Sequence, residues 1–313
     1  MVELKHMSRA ETKVLQDIGE AWTAYGPALR DKRDLDGGMA WKLVNGHEYL
    51  TRYRQDPETG KKKWTSMGRR SPETEATYDA FMGRRDDARQ TILDSRDEVA
   101  LSGRLAKAHG LARLPVKSAE IIRSFWHKSL DKQLTLFCGA SLLAYEQQSK
   151  FLTPAALVRD ESLLFVFNPA VEYIEIDEIL DAYENAAGEK ARVGQKAYRM
   201  TIQAGDAVPV ELVTDRYFLD KVDEQAEVMA EALKAPAFTG LTVARDGQPV
   251  EIKTFAPQSF ALMAYTLGRD DEVWAERAQF AAAMVRERWE FAPDQESVFP
   301  GICFDGADAP PRM

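Results

Sequence analysis

The chain has 313 residues and a formal net charge of −9, which argues against a protein coated in nucleic acid. Hydrophobic and charged residues make up 45% and 29% of it, ordinary values for a packed protein that exclude wholesale disorder. The two cysteines, Cys138 and Cys303, exclude a disulfide scaffold, and no apolar run approaches the roughly 18 residues that span a bilayer, so we expect a cytoplasmic protein without a membrane partner.

The first part of the chain predicts helices around a small sheet. Ser8 and Glu11 form a capping-box pair. Asn45-Gly46 between short alternating segments indicates a hairpin, and Ser71-Pro72 is typical of a helix start. The predicted elements are a helix over 8–34, a three-stranded antiparallel sheet over about 40–68 and a helix over 72–95.

The rest of the chain alternates between short apolar strands and helices. Strands are predicted at 134–138 and 163–167, with hairpins at 197–203 with 208–214 and at 241–243 with 250–252. Helices are predicted at 116–130, after Gly139, and at 175–187, 222–234, 257–268 and 272–289, with a frayed tail at 307–313. This order predicts an α+β fold in three regions, 1–130, 131–220 and 221–313.

Residues 41–70 carry an excess of positive charge. They hold eight Lys and Arg against three acids, a net charge of +5. Cations interleaved with aromatic residues on a small sheet suit nucleic acid, because Lys and Arg bind phosphates and aromatic rings stack on bases. The candidates for binding RNA or DNA are Arg52, Arg54, Lys61, Lys62, Lys63, Trp64, Arg69 and Arg70. The alternative is a solvated hairpin whose aromatic residues pack on the helix at 72–95.

Several segments between about residues 37 and 290 resemble those of one known family. They are Gly37–Lys42 with Gly46, Glu48–Leu50, Gly68–Glu75, Phe137–Gly139, Ala144–Glu146, Asp246–Val250 and Pro257–Leu262. The family is a largely uncharacterised bacterial group of nucleotidyltransferase-fold proteins in the DNA polymerase beta superfamily. The resemblance implies a nucleotidyltransferase-like mixed-sheet core, preceded by helices with the basic sheet and followed by a helical region.

The family's metal motif reads Gly-Thr-x-Ala and, further along, Gly-Asp-x-Asp-Leu-Leu. In this chain Gly139 and Ser141 fall in the first part, and Asp160 matches the first carboxylate of the second part. Ser162 stands in place of the second carboxylate, and the third acid corresponds to Glu211. The resemblance implies that Asp160 and Glu211 hold Mg²⁺ and act in catalysis, while Gly139 and Ser141 contact the phosphates of a nucleoside triphosphate.

The substitution at Ser162 leaves the chemistry of this motif open. Transfer of a nucleotidyl group uses two metal ions, and an uncharged serine is a poor Mg²⁺ ligand. Glu161 could serve as a metal ligand only if the strand bulges, because its side chain should face the other side of the pleat. The alternatives are retained two-metal catalysis, altered ligand use, or an ordinary solvated turn at Asp160-Glu161.

Two functions follow as hypotheses. The first is a Mg²⁺-dependent nucleotidyltransferase that moves NMP from an NTP to an acceptor, with RNA as one candidate. The second is a catalytically lapsed fold that binds nucleic acid or nucleotide. Cations of the C-terminal helices are either contacts for the triphosphate or acceptor, as the resemblance permits, or a solvated face: Arg269, Arg277, Arg286 and Arg288. A further acidic cluster is expected on an exposed helix face: Glu175, Asp177, Glu178 and Asp181.

Overall fold

The computed structural model describes residues 3–55, 61–168, 176–221 and 226–289. Within these ranges the protein is a mixed α+β structure. Three predicted features, namely Glu175, Cys303 and the tail at 307–313, lie outside the described residues. No helix in these ranges is long and apolar enough to cross a membrane.

The secondary structure follows the chain in this order. The strands are β1 (Lys5–His6), β2 (Gly38–Val44), β3 (His47–Gln55), β4 (Lys62–Arg69), β5 (Ala112–Leu114), β6 (Leu134–Leu136), β7 (Phe151–Leu152), β8 (Leu163–Phe167), β9 (Arg192–Lys196), β10 (Arg199–Gln203), β11 (Val210–Val213), β12 (Phe238–Ala244) and β13 (Pro249–Thr254). The helices are α1 (Arg9–Asp34), α2 (Pro72–Ala108), α3 (Val116–His127), α4 (Gly139–Ser149), α5 (Ile176–Ala187), α6 (Arg216–Leu219), α7 (Ala226–Lys234), α8 (Pro257–Leu267) and α9 (Glu272–Arg288).

The chain divides into two compact units. One contains the residues up to Gln16 and those from Gly103 onward, and the other is Asp17–Ser102. This division differs from the predicted regions 1–130, 131–220 and 221–313. The physical reason is that β5, β12 and β13 join the same hydrogen-bonded sheet as β6, β8 and β11.

The unit Asp17–Ser102 contains the predicted three-stranded antiparallel sheet, in the order β2-β3-β4. Asn45 and Gly46 have φ angles of 50° and 78°, which is the left-handed turn that matches the twist of a tight hairpin. A β-bulge between Leu50 and Thr51 shifts the pairing of β3 with β4, next to Gly68 at φ 125°. The shift decides which β4 side chains reach which face.

Both long helices start with the caps that the sequence predicts. The Ser8 backbone N–H donates to Glu11 Oε2 at 2.7 Å, and the Glu11 N–H donates to Ser8 Oγ at 3.2 Å. Hydrogen bonds of the Glu11 carboxyl with the Ser8 side chain and with the Ser8 backbone N–H lower the pKa of Glu11, because they favour its charged form. At the second helix the Thr74 N–H donates to Ser71 Oγ at 3.3 Å. Side-chain oxygens thus satisfy amides that have no partner inside the helix.

The other unit is built on an eight-stranded sheet in the order β5-β12-β13-β6-β8-β11-β10-β9. The pairs β5–β12, β6–β13 and β8–β11 are parallel, and the remaining neighbours are antiparallel. Successive residues of β8 face opposite sides, so Leu163 and Phe165 pack in one core while Leu164 and Val166 pack in the other. The first core also contains α3 and α5, and the second contains α7, α8 and α9.

Strand β9 is not predicted by the sequence. It pairs with β10 at one edge of the sheet, and its five residues are all exposed. Its sequence, Arg-Val-Gly-Gln-Lys, lacks the alternating apolar residues that mark a half-buried strand. The hairpin predicted at 197–203 with 208–214 is present as β10 and β11.

Candidate functional site

Asp160, the first predicted carboxylate, lies in the loop that precedes β8 and caps α4. Its Oδ1 accepts from the Gly139 N–H at 2.8 Å, and its Oδ2 accepts from the Ala140 N–H at 2.9 Å. Arg277 Nη2 of α9 lies 2.7 Å from Oδ1. The two side chains are 7% and 5% exposed, so this is a buried ion pair at a helix N-terminus.

The guanidinium of Arg277 is fixed by further contacts. Its Nε donates to the Leu157 carbonyl at 3.0 Å, and its Nη2 also donates to the Arg159 carbonyl at 2.9 Å. The group lies 4.7 Å from the centroid of the Trp274 ring. Arg277 is therefore a buried structural cation and not part of a solvated helix face, which corrects that reading of the sequence.

Burial raises the pKa of the Asp160 carboxyl above its ordinary value, while Arg277 and the two amides act in the opposite direction. Burial also raises the pKa of the neighbouring Cys138 thiol, which is 1% exposed. A buried, uncharged thiol is a poor nucleophile. The Cys138 thiol is therefore not poised as a nucleophile.

Glu211, the predicted third acid, lies on β11 beside β8. Its Oε1 accepts from the Ser162 hydroxyl at 3.1 Å, and its Oε2 lies 3.4 Å from Arg199 Nη1. Ser162 thus forms a hydrogen bond with Glu211. In the family's motif a carboxylate at the position of Ser162 would share the metal with that acid. Glu161 is exposed.

This donor set does not fit Mg²⁺ as predicted. Both oxygens of Asp160 are engaged by amides and a guanidinium, and a cation at that place would face Arg277. Glu211 is engaged separately by Ser162. Across the ranges that the structure describes, no three acidic, histidine or cysteine residues come together as metal ligands. The predicted set of Asp160, Glu161 and Glu211 is thus not assembled as a metal site.

Gly139 and Ser141 have local structural roles. A Cβ added at Gly139 would lie 2.2 Å from the Leu157 carbonyl oxygen, so glycine lets this loop pass over the helix start. Ser141 is fully buried, and its Oγ donates to the Leu136 carbonyl at 3.1 Å and accepts from the Cys138 N–H at 3.2 Å. Its hydroxyl is not presented to a ligand, and the predicted phosphate contact does not fit this arrangement.

The predicted basic candidates divide between two faces of the sheet β2-β3-β4. One face packs on the helices of its own unit: the Trp41 ring lies 5.9 Å from that of Tyr78, and Arg52 lies 5.4 Å from the Phe81 ring. Arg52 Nη2 also donates to the Asp34 carbonyl at 2.8 Å. Arg52 is therefore committed to the interior of the unit rather than to a ligand.

Arg70 lies on the same packed face. It contacts Glu48 at 2.7 Å and Glu75 at 2.6 Å, and its guanidinium lies 5.0 Å from the Trp41 ring. Two carboxylates thus offset its charge, and Arg70 is a weak candidate for a phosphate contact. Arg54 and Lys63 pair across the strands and are exposed at the end of this face, and Lys61 is exposed just before β4.

The opposite face, which we call the open face, gathers rings and cations. Cross-strand register places these residues on it: Lys42, Tyr49, Thr51, Tyr53, Lys62, Trp64, Ser66 and Arg69. Trp64 is 41% exposed, and its ring centroid lies 4.8 Å from that of Tyr53. The Lys42 ammonium lies 3.3 Å from the Trp64 centroid, and the Lys62 ammonium lies 4.6 Å from the Tyr53 centroid. The residues so placed include no carboxylate.

Lys42 is the functional candidate that the sequence does not single out. It lies on β2, opposite Tyr49, and its side chain reaches Trp64 of β4 across the intervening strand. Only the cross-strand register, which is a tertiary property, brings the two together. Arg69 lies on the same face and contacts His47 Nδ1 at 2.9 Å.

Comparison with protein-family models, with curated proteins and with solved structures finds no match for this chain. The resemblance to the bacterial nucleotidyltransferase-fold family is therefore an expectation from the sequence alone. The function has to be inferred from the contacts of Asp160 and from the open face.

Proposed function

We propose that this protein binds nucleic acid through the open face, on a nucleotidyltransferase-like scaffold whose two-metal site is not assembled. The observation that carries the proposal is the composition of that face. Two lysine ammonium groups cover two adjacent aromatic rings, Arg69 lies on the same face, and the residues that the register places there include no acid.

Electrostatics favours a polyanion at this face. The whole chain has a net charge of −9, whereas residues 41–70 sum to +5, so positive charge is concentrated in the segment that forms this sheet, on both of its faces. Each phosphate that a Lys or Arg neutralises releases counterions, which supplies most of the sequence-independent affinity for nucleic acid. Lys42, Lys62 and Arg69 are the cations of the open face.

The scaffold part of the proposal is supported by the centre of the large sheet. Strand β6 leads through Gly139 into α4, and β8 and β11 follow as a parallel pair with Asp160 just before β8 and Glu211 on β11. This is the order expected for a nucleotidyltransferase core. The buried contacts of Asp160 with Arg277 favour the lapsed form over the catalytic one.

The test is binding of labelled oligonucleotides by fluorescence anisotropy over a salt series. The double variant Lys62→Ala/Arg69→Ala should weaken binding about tenfold or more and reduce the slope of log K against log salt by roughly 2. The matched control is Arg192→Ala/Lys196→Ala on the exposed strand β9, which removes the same charge elsewhere. Equal losses in the two double variants, or no binding by the natural chain, would refute the proposal.

A further inference from the structure

We infer that the open face takes a single-stranded nucleic acid, and that an unpaired base replaces the Lys42 ammonium on the Trp64 ring. This inference rests on the proposed function and specifies its ligand. Its basis is the arrangement of two rings that are each covered by an ammonium group of the same chain. No such detail follows from charge alone.

The geometry of the two rings is suited to stacking. Tyr53 and Trp64 are cross-strand partners, with their centroids 4.8 Å apart and their planes inclined at 48°. Trp64 remains 41% exposed although the Lys42 ammonium lies 3.3 Å from its centroid. Thr51, between Lys42 and Trp64 on the same face, is 7% exposed. The Lys42 side chain thus crosses the sheet to reach Trp64.

A double helix does not fit this arrangement. The faces of its bases are covered by their neighbours in the stack, so a protein ring can stack only on a base that is unpaired or at an end. The ring platform thus selects single strands.

The exchange at Trp64 is favourable for a single strand. Stacking of a base on an aromatic ring contributes more than a solvent-exposed cation–π contact does. The displaced Lys42 ammonium stays within reach of the phosphate attached to the stacked base, so it exchanges a contact with the ring for an ionic contact with that phosphate. Stacking on an aromatic ring is tolerant of the identity of the base, which predicts little preference among bases.

The experiment compares oligo(dT) and oligo(U) of about twelve nucleotides with a duplex of equal length, using the full chain. The single strands should bind at least about tenfold more tightly than the duplex. Trp64→Leu should weaken single-strand binding by about 5- to 100-fold at both low and high salt, since stacking is not screened. Lys42→Met should lower the salt slope by about 1 and leave affinity at high salt unchanged or increased.

Two controls separate folding from binding. Trp64→Phe keeps a ring and should retain most of the affinity, which would show that a loss in Trp64→Leu comes from the missing ring. If the leucine variant does not fold, the salt dependence of Lys42→Met tests the exchange at Trp64. Quenching of tryptophan emission on binding should be smaller in Trp64→Leu than in the natural chain.

The outcomes separate the inference from the proposed function. Equal affinity for duplex and single strand, with no effect of Trp64→Leu, would overturn the inference. The proposed function would then survive if Lys62→Ala/Arg69→Ala still weakens binding. Failure of every oligonucleotide to bind would overturn both. Competition by polyglutamate as strong as by oligo(U) would instead assign the face to an acidic peptide.

Discussion

Replacing Asp160 by alanine tests whether its carboxylate has a structural or a catalytic role. In the structure both its oxygens are bonded, and its charge is balanced by Arg277, with the two side chains 7% and 5% exposed. Asp160→Ala leaves a buried guanidinium without its counter-charge and removes the cap of α4. Breaking a buried ion pair in this way typically costs about 3–5 kcal/mol. Most protein domains have only about 5–15 kcal/mol of stability, so the loss is large.

The measurement is urea unfolding followed by circular dichroism, with midpoint and slope compared at matched protein concentration. The control is Glu161→Ala, which removes an exposed carboxylate next to Asp160 and should change stability by less than about 0.5 kcal/mol. The double variant Asp160→Ala/Arg277→Met should lose less than the sum of the single variants, by about 0.5–3 kcal/mol. It should not regain the natural stability, because the Leu157 and Arg159 carbonyls lose a donor.

The result that would refute this reasoning is a folded Asp160→Ala protein with unchanged or increased stability. A carboxylate that is kept for ligand chemistry is commonly held at a cost to the fold, so its removal does not destabilise. That outcome would return Asp160 to the role that the sequence resemblance implies.

Two further predictions concern packing and pH. Gly240→Ala should destabilise the protein by about 1–3 kcal/mol, because the new Cβ would lie 2.1 Å from the Ala144 carbonyl oxygen. Gly83→Ala, on an open helix surface, should stabilise it by about 0.5–1 kcal/mol. Urea unfolding midpoints check both variants, and changes of stability in the same direction would contradict the prediction. Arg113→Met removes the ion-pair partner of buried Glu146, whose pKa burial already raises and Arg113 lowers. The carboxyl pKa should rise further, so the folded state holds a proton that the unfolded chain has lost, and stability should fall as pH rises from about 5 to about 8. A loss of unfolding free energy in Arg113→Met that is the same at about pH 5 and about pH 8 would contradict this prediction.

The features that the sequence predicted correctly are those with a local physical cause. The turn at Asn45-Gly46 needs left-handed backbone angles at consecutive residues, and those residue types tolerate them. The cap at Ser8 and Glu11 is complete within one helical turn. The strand at Leu163–Phe167 is a continuous apolar run with both sides buried, and its pattern is sufficient by itself.

The candidate metal site was beyond such reasoning because its decisive partner is remote. Arg277 lies 117 positions from Asp160 in the sequence, and nothing near either residue indicates the pairing. The sequence pattern of a carboxylate before a strand is the same whether its side chain faces a metal or an arginine. The contact becomes visible only when α9 is packed beside α4 in the folded unit.

Which residues lie on the open face could be predicted only in part from the sequence. Strict alternation from Lys62 and Trp64 would place Arg70 on the same side and Arg69 on the other. The bulge beside Gly68 reverses this, so Arg69 joins the open face and Arg70 joins the packed face with Glu48. A one-residue irregularity therefore exchanges a candidate ligand contact for a structural ion pair.

The pairing of β1 with β7 has a consequence for synthesis on the ribosome. Lys5 pairs with Leu152, so β1 cannot pair with β7 until the residues of β7 have been synthesised. Meanwhile residues Asp17–Ser102 are contiguous and form a unit of their own. At about 5–20 residues per second, the fifty residues from Ser102 to Leu152 take roughly 3–10 s to emerge. The unit that carries the open face can thus be complete before the N-terminal strand finds its place.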